Sequence, residues 1–80
     1  MHKIKNNMVK NYNIPIKWES YKRISVEAEN LQEATEKALK IFLDEPDYLY
    51  LDDSFEIDKF IEEETNETFD MVITIENVFK

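Results

Sequence analysis

The sequence predicts a single small α+β domain of the order ββαβ(α)β, a mostly antiparallel sheet with one main helix packed on one face. Three observations carry this. Apolar residues alternate at period two in "YNIPIKW" and "KRISVEAE", switch to helical spacing in "NLQEATEKALKIF", and return to alternation near the C-terminus. Eighty residues, 1–80, allow one modest core and no second lobe around a cleft. Glycine is absent altogether, so turns must be made by Asn, Asp, Ser and Pro.

Residues 1–8 have no usable period and read as a mobile basic lead-in. Tyr12, Ile14, Ile16 and Trp18 then alternate with Asn13, Pro15 and Lys17, the pattern of a strand with one buried face. Pro15 cannot donate a ladder hydrogen bond, so this strand is expected at a sheet edge or with a bulge. After "ESY", Ile24, Val26 and Ala28 alternate with Arg23, Ser25, Glu27 and Glu29, giving a second strand and an antiparallel hairpin. Asn30 caps a helix over 31–44, with Glu33 three positions on reaching back to the Asn30 amide as a capping box. Leu31, Ala34, Ala38, Ile41 and Phe42 make one apolar stripe that must lie on the sheet, and Pro46 ends the run. Glu33 and Glu36 precede Lys37 and Lys40 by four residues each, the favourable order for ion pairs along a helix.

Beyond the helix, "DEPDYLYLDD" is a loop or a short extended piece. In "SFEID", Phe55 and Ile57 alternate with Glu56 and Asp58 and predict a third strand followed by a short helical turn. The same stretch also fits a helix over 54–64, because Asp53 and Glu56 have capping-box spacing and Ile57, Phe60 and Ile61 share a helical stripe. Phe69, Met71, Ile73 and Ile75 then alternate with Asp70, Val72, Thr74 and Glu76 and predict a final strand.

Composition excludes several classes of function. With no Cys there are no disulfides, thiolate metal sites or Cys nucleophiles. With no Gly there are no phosphate-cradling loops, dinucleotide fingerprints or nucleophile elbows, each of which needs Gly at positive φ or close to a ligand. No apolar run approaches the about eighteen residues of a membrane span, and "MHKIKNNMVK" lacks the apolar stretch of a signal peptide, so a cytoplasmic location is expected. Asp52, Ser54, Glu56, Asp58 and Glu63 match the ligand positions of a calcium loop, but Ile57 stands where that loop needs Gly. The one imidazole, His2, lies in the lead-in. Glu62, Glu63 and Glu64 fall at an expected solvated turn, with no deep pocket to separate their acidities. No metal, no cofactor and no enzymatic activity are therefore expected.

Charge gives the functional expectation. Residues 1–43 sum to +3, residues 44–70 to -11 and residues 71–80 to zero, for a net charge of -8. The acidic set is Asp44, Glu45, Asp47, Asp52, Asp53, Glu56, Asp58, Glu62, Glu63, Glu64, Glu67 and Asp70, with Tyr48, Tyr50 and Phe60 as aromatic anchors among them. Such a surface suits a larger basic partner, such as a nucleic-acid-binding effector whose cationic channel carboxylates occupy in place of phosphates. Alternatives are a solubilising face, attraction between the acidic and basic halves within or between subunits, and homodimerisation through a sheet edge. Direct nucleic-acid binding would use Lys17, Lys22 and Arg23, against the opposition of the net negative charge.

"ISVEAENLQEATEKAL" and "LDDSFEID" resemble the DpnD/PcfM-like family of short proteins from bacterial plasmids, phages and restriction loci. Members carry a hairpin ending in a V-x-V-E-A-like strand, a small polar cap, an E-E-A-like helix start and a later strand near a D-D/S-F-like segment. The resemblance covers about 12–58 and implies a fold and a mobile-element setting, without a site. With the charge asymmetry and the absence of catalytic motifs, this setting leads to the expectation of a non-catalytic acidic inhibitor of a nuclease or CRISPR-type complex, carried by a mobile element. A strand followed by a capped Ala-rich helix also occurs in antitoxins with a "TLEEAL"-like turn, which usually have a Gly-rich strand that this chain lacks.

Overall fold

The computed structural model describes residues 9–18, 20–44 and 55–79. Lys10–Lys17 (β1) and Tyr21–Ala28 (β2) form the predicted hairpin, in register from Lys10 opposite Ala28 to Lys17 opposite Tyr21. Alternation sends Tyr12, Ile14 and Ile16 of one strand and Ile24, Val26 and Ala28 of the other to a single buried face. A third strand, Glu56–Ile57 (β3), pairs antiparallel with Lys17 and Ile16, giving the order β2-β1-β3.

Leu31–Asp44 (α1) covers that face. Its start carries the expected cap: the Asn30 side chain accepts from the Glu33 amide at 2.8 Å. Glu33 reaches back one residue further than the capping-box spacing predicts, accepting from the Glu29 amide at 2.9 Å. The buried stripe is Leu31, Ala34, Thr35, Ala38, Leu39 and Phe42. Ile41, predicted in the stripe, is instead 43% exposed at its margin. Glu33 pairs with Lys37 at 3.6 Å as expected, whereas Glu36 accepts from Gln32 and Asn77. Pro46, the predicted terminator, lies outside the described residues.

Pro15 is accommodated differently from the expectation of an edge strand, for β1 is central. The Pro15 carbonyl accepts from the Asp58 amide at 2.9 Å, on the β3 side. In an extended strand the N and C=O of one residue point the same way, so the missing N–H also faces that side, where β3 ends. The ladder to β2 loses no bond.

Of the two readings of 54–64, the strand followed by a short helical turn is the one found, as β3 and Phe60–Thr65 (α2); a helix over 54–64 is not, because Glu56 and Ile57 are paired in the sheet. Asp58 accepts from the Phe60 amide at 3.0 Å at the start of α2. Asn66, at φ 60, ends it in the left-handed region, with its amide bonded to the Glu62 carbonyl. Among the described residues it alone has positive φ, a role that Asn takes readily in a chain without Gly.

The predicted final strand is a helix, Met71–Val78 (α3). Asp70 is its cap, accepting from the amides of Val72 and Ile73 at 2.9 and 3.2 Å. The face turned inward is helical: Met71, Ile75 and Val78 are half-buried around Thr74, which is fully buried, while Ile73 is 43% exposed where a strand would have buried it. α3 packs on α1, and the Thr74 and Thr35 hydroxyls lie 3.0 Å apart. Gln32 ties the two helices and their connection together, donating to Thr74 Oγ1 at 2.9 Å and accepting from the Asp70 amide at 2.7 Å. The β-branched residues that favour a strand are outweighed by a capping carboxylate and by a polar stripe on α1 that only a helical face can answer.

Candidate functional site

Part of the predicted acidic surface, the side chains of Glu56, Glu64 and Glu67, is a clasp on the molecule's own hairpin. From Glu56 to Glu67 the chain descends the border of β1 that β2 leaves open, first as β3 and then as α2. Glu56 lies 3.7 Å from Lys17, and Asp58 binds the Pro15 carbonyl through its amide. Arg23 reaches Glu64 through both terminal nitrogens, at 3.1 and 3.0 Å, while also donating to the Asn13 carbonyl. Two parallel N–H···O contacts make this the most directional ion pair of the group. The Arg23 side chain is nonetheless more than one-third exposed, so its contribution is that of a surface pair, below about 1 kcal/mol.

Glu67 completes the clasp. One carboxylate oxygen accepts from the Tyr12 hydroxyl at 2.7 Å and lies 3.4 Å from Lys10 Nζ; the other accepts from the Leu31 amide at 2.8 Å. A carboxylate at the first amide of α1 meets an N–H that the helix cannot satisfy itself. The Tyr12 bond, followed by the Leu31 amide and Lys10, outweighs desolvation and holds the Glu67 carboxyl below the usual carboxylate range. Burial, reinforced by the bond to Glu67 and by its charge, pushes the Tyr12 phenol up to about 12. Glu62 is also structural, accepting from the Phe69 amide at 3.0 Å with Lys59 3.9 Å away.

The predicted acidic residues therefore divide. Glu56, Asp58, Glu62, Glu64, Glu67 and Asp70 hold strands, caps and turns together. Glu63 is exposed on α2, and Asp44 is exposed at the end of α1. Glu45, Asp47, Tyr48, Tyr50, Asp52 and Asp53 lie outside the described residues. Phe60, the remaining predicted anchor, is 52% exposed at the head of α2, one turn before Glu63. On the basic side, Lys17 and Arg23 face carboxylates of the same chain, and Lys22 is half-buried on β2. This is the attraction between halves within a subunit that the charge division allowed.

Among the described residues no group of His, Cys, Asp and Glu could hold a metal ion. In the calcium-loop register, Ile57 is a buried sheet residue opposite Ile16, and Asp58 serves α2. No helix of the described residues is long and apolar enough to cross a membrane.

Fold and surface together define a small α+β domain with an open three-stranded antiparallel sheet, in which several of the described carboxylates bond to the chain's own backbone and cations. No known protein family, curated protein or solved structure matches the chain.

Proposed function

We propose that the chain is a non-catalytic protein-binding module of a mobile element that docks on a larger basic protein. Its most concrete form is an inhibitor that occupies a nucleic-acid-binding site of a nuclease-type effector. The observation that carries this reading is Phe60: a large aromatic side chain 52% exposed, followed one turn later by exposed Glu63. An exposed aromatic side chain of this size can serve as the anchor of a binding patch. The net charge of -8 supplies steering toward a cationic partner.

Because Glu62, Glu64 and Glu67 hold the fold, a test must leave them intact. In a titration that measures displacement of a DNA duplex from basic nuclease complexes of plasmid, phage and restriction systems, Phe60→Ala is expected to weaken displacement by about tenfold or more. Glu63→Lys should weaken it several-fold and flatten its salt dependence, with circular dichroism unchanged in both variants. Equal displacement by wild type and the Phe60→Ala/Glu63→Lys double variant, or none by the wild type, rejects the reading.

A further inference from the structure

We propose that two copies of this chain pair antiparallel along β2, about a two-fold axis through Ser25, to form one continuous six-stranded sheet. This surface lies on β2 and α1 and is independent of Phe60.

β2 is a border strand of eight residues, opposite in the sheet to the side closed by the clasp. The direction of its backbone groups follows from Pro15. Since the Pro15 carbonyl points to β3, the pair Pro15–Arg23 carries no ladder bond, and its neighbours Ile14–Ile24 and Ile16–Lys22 do. Tyr21, Arg23, Ser25 and Glu27 therefore turn their N–H and C=O groups outward. Lys37 Nζ donates to the Glu27 carbonyl at 2.7 Å, which fixes that direction independently.

A row of outward backbone groups can accept any strand, and charge selects a second copy. Along β2 the charges run from Lys22 and Arg23 at the start to Glu27 near the end, with Glu29 just beyond it. Antiparallel pairing through Ser25 sets Arg23 opposite the partner's Glu27 in register, so the basic end of each strand meets the acidic end of the other, while the Arg23 guanidinium itself stays on Glu64 and the Asn13 carbonyl. A parallel pair, or a shift that moves the axis, loses this match.

The layer above obeys the same symmetry. A groove between β2 and α1 is lined by Val26, Ile41, the stems of Lys37 and Lys40, and Asp44. Ile41 is 43% exposed there. Lys37 stands beside Glu27, and α1 runs opposite to β2, so Asp44 lies toward Tyr21. A two-fold axis near Ile41 brings the two Ile41 side chains together and Lys37 toward the partner's Asp44. Asp44 sits at the negative end of the α1 dipole, and no basic residue lies in the last turn of that helix. A cation from across the axis offsets both. On pairing, the Glu27 carbonyl takes the partner's Arg23 amide, which leaves Lys37 with only its exposed pair to Glu33 to exchange for that contact.

The chain has no Cys, so a single introduced thiol reports the register. The two Ser25 Cα atoms of a hydrogen-bonded antiparallel pair would stand about 5.5 Å apart, within disulfide reach. Ser25→Cys is expected to oxidise rapidly to a covalent dimer, and Glu27→Cys, displaced along the strand, slowly. Sedimentation of the unmodified chain is expected to give a dimer mass. Lys37→Glu or Asp44→Lys alone should raise the dissociation constant about tenfold or more, with the double exchange restoring it. A monomer at every concentration tested overturns the proposal. So does a dimer in which Ser25→Cys fails to cross-link, or one indifferent to both charge reversals. Circular dichroism of each variant separates these outcomes from misfolding.

Discussion

Phe42→Ala is expected to destabilise the domain by about 3–5 kcal/mol, the usual range for removing a fully buried aromatic ring. Phe42 has no exposed surface, and its ring centroid stands 4.9 Å from that of Trp18 and 6.0 Å from that of Phe55. It thus joins α1 to the end of β1 and to the approach to β3. Small domains have only about 5–15 kcal/mol in total, so this variant should be largely unfolded in moderate urea where the wild type is native. Trp18 is the only tryptophan, and its fluorescence during a urea titration reads the transition directly. Phe42→Leu, which keeps most of the volume, should cost under half as much. Equal midpoints for wild type and Phe42→Ala would show that the ring is not part of a packed core.

Glu67→Ala is expected to cost about 2–3 kcal/mol, because it leaves the buried Tyr12 hydroxyl and the Leu31 amide without their acceptor. Its signature lies in the pH dependence. The folded-state pKa of Glu67 is depressed, so its contribution is present above the carboxyl pKa of the unfolded chain, near about 4.3, and is lost as pH falls through the lower folded value. Tyr12 works in the opposite sense. Its folded pKa is raised from 10.0 to about 12, so its contribution is complete below 10.0 and is lost as pH rises from there toward 12. Wild-type stability should therefore fall at both limits, and Glu67→Gln should flatten the acid limb while keeping most of the shape of the site. Parallel acid limbs for wild type and Glu67→Gln, measured by urea titration between pH 3 and 6, would contradict this assignment.

The hairpin and α1 were legible in the sequence because their signals are local: period-two alternation, the Asn30 cap, and an apolar stripe that shares Leu31, Ala34, Ala38 and Phe42 with the observed one but takes Ile41 where the structure buries Thr35 and Leu39. The last element was not, since "FDMVITIE" satisfies both periods. Its helical identity depends on Asp70 as a cap and on Gln32 and Thr35, 38 and 39 residues away from their contacts Asp70 and Thr74. The acidic run was legible as charge but not as architecture. A core-facing tyrosine needs a partner for its hydroxyl, and Tyr12 was in principle a pointer to Glu67. Nothing local, however, says which of the many carboxylates answers it.

The clasp also bears on the order in which the molecule assembles. Its ties span 41 residues between Arg23 and Glu64 and 55 between Tyr12 and Glu67, whereas the β1–β2 turn and the Asn30 cap close within a few residues of each other. Loop-closure entropy has to be met before the distant contacts return any stability. The hairpin and α1 are therefore expected to form before the clasp, which should settle last and leave first. Loosening Glu64 or Glu67 should accordingly quicken unfolding and leave the folding rate nearly untouched. The run of carboxylates thus acts as a latch whose hold sets the lifetime of the native state.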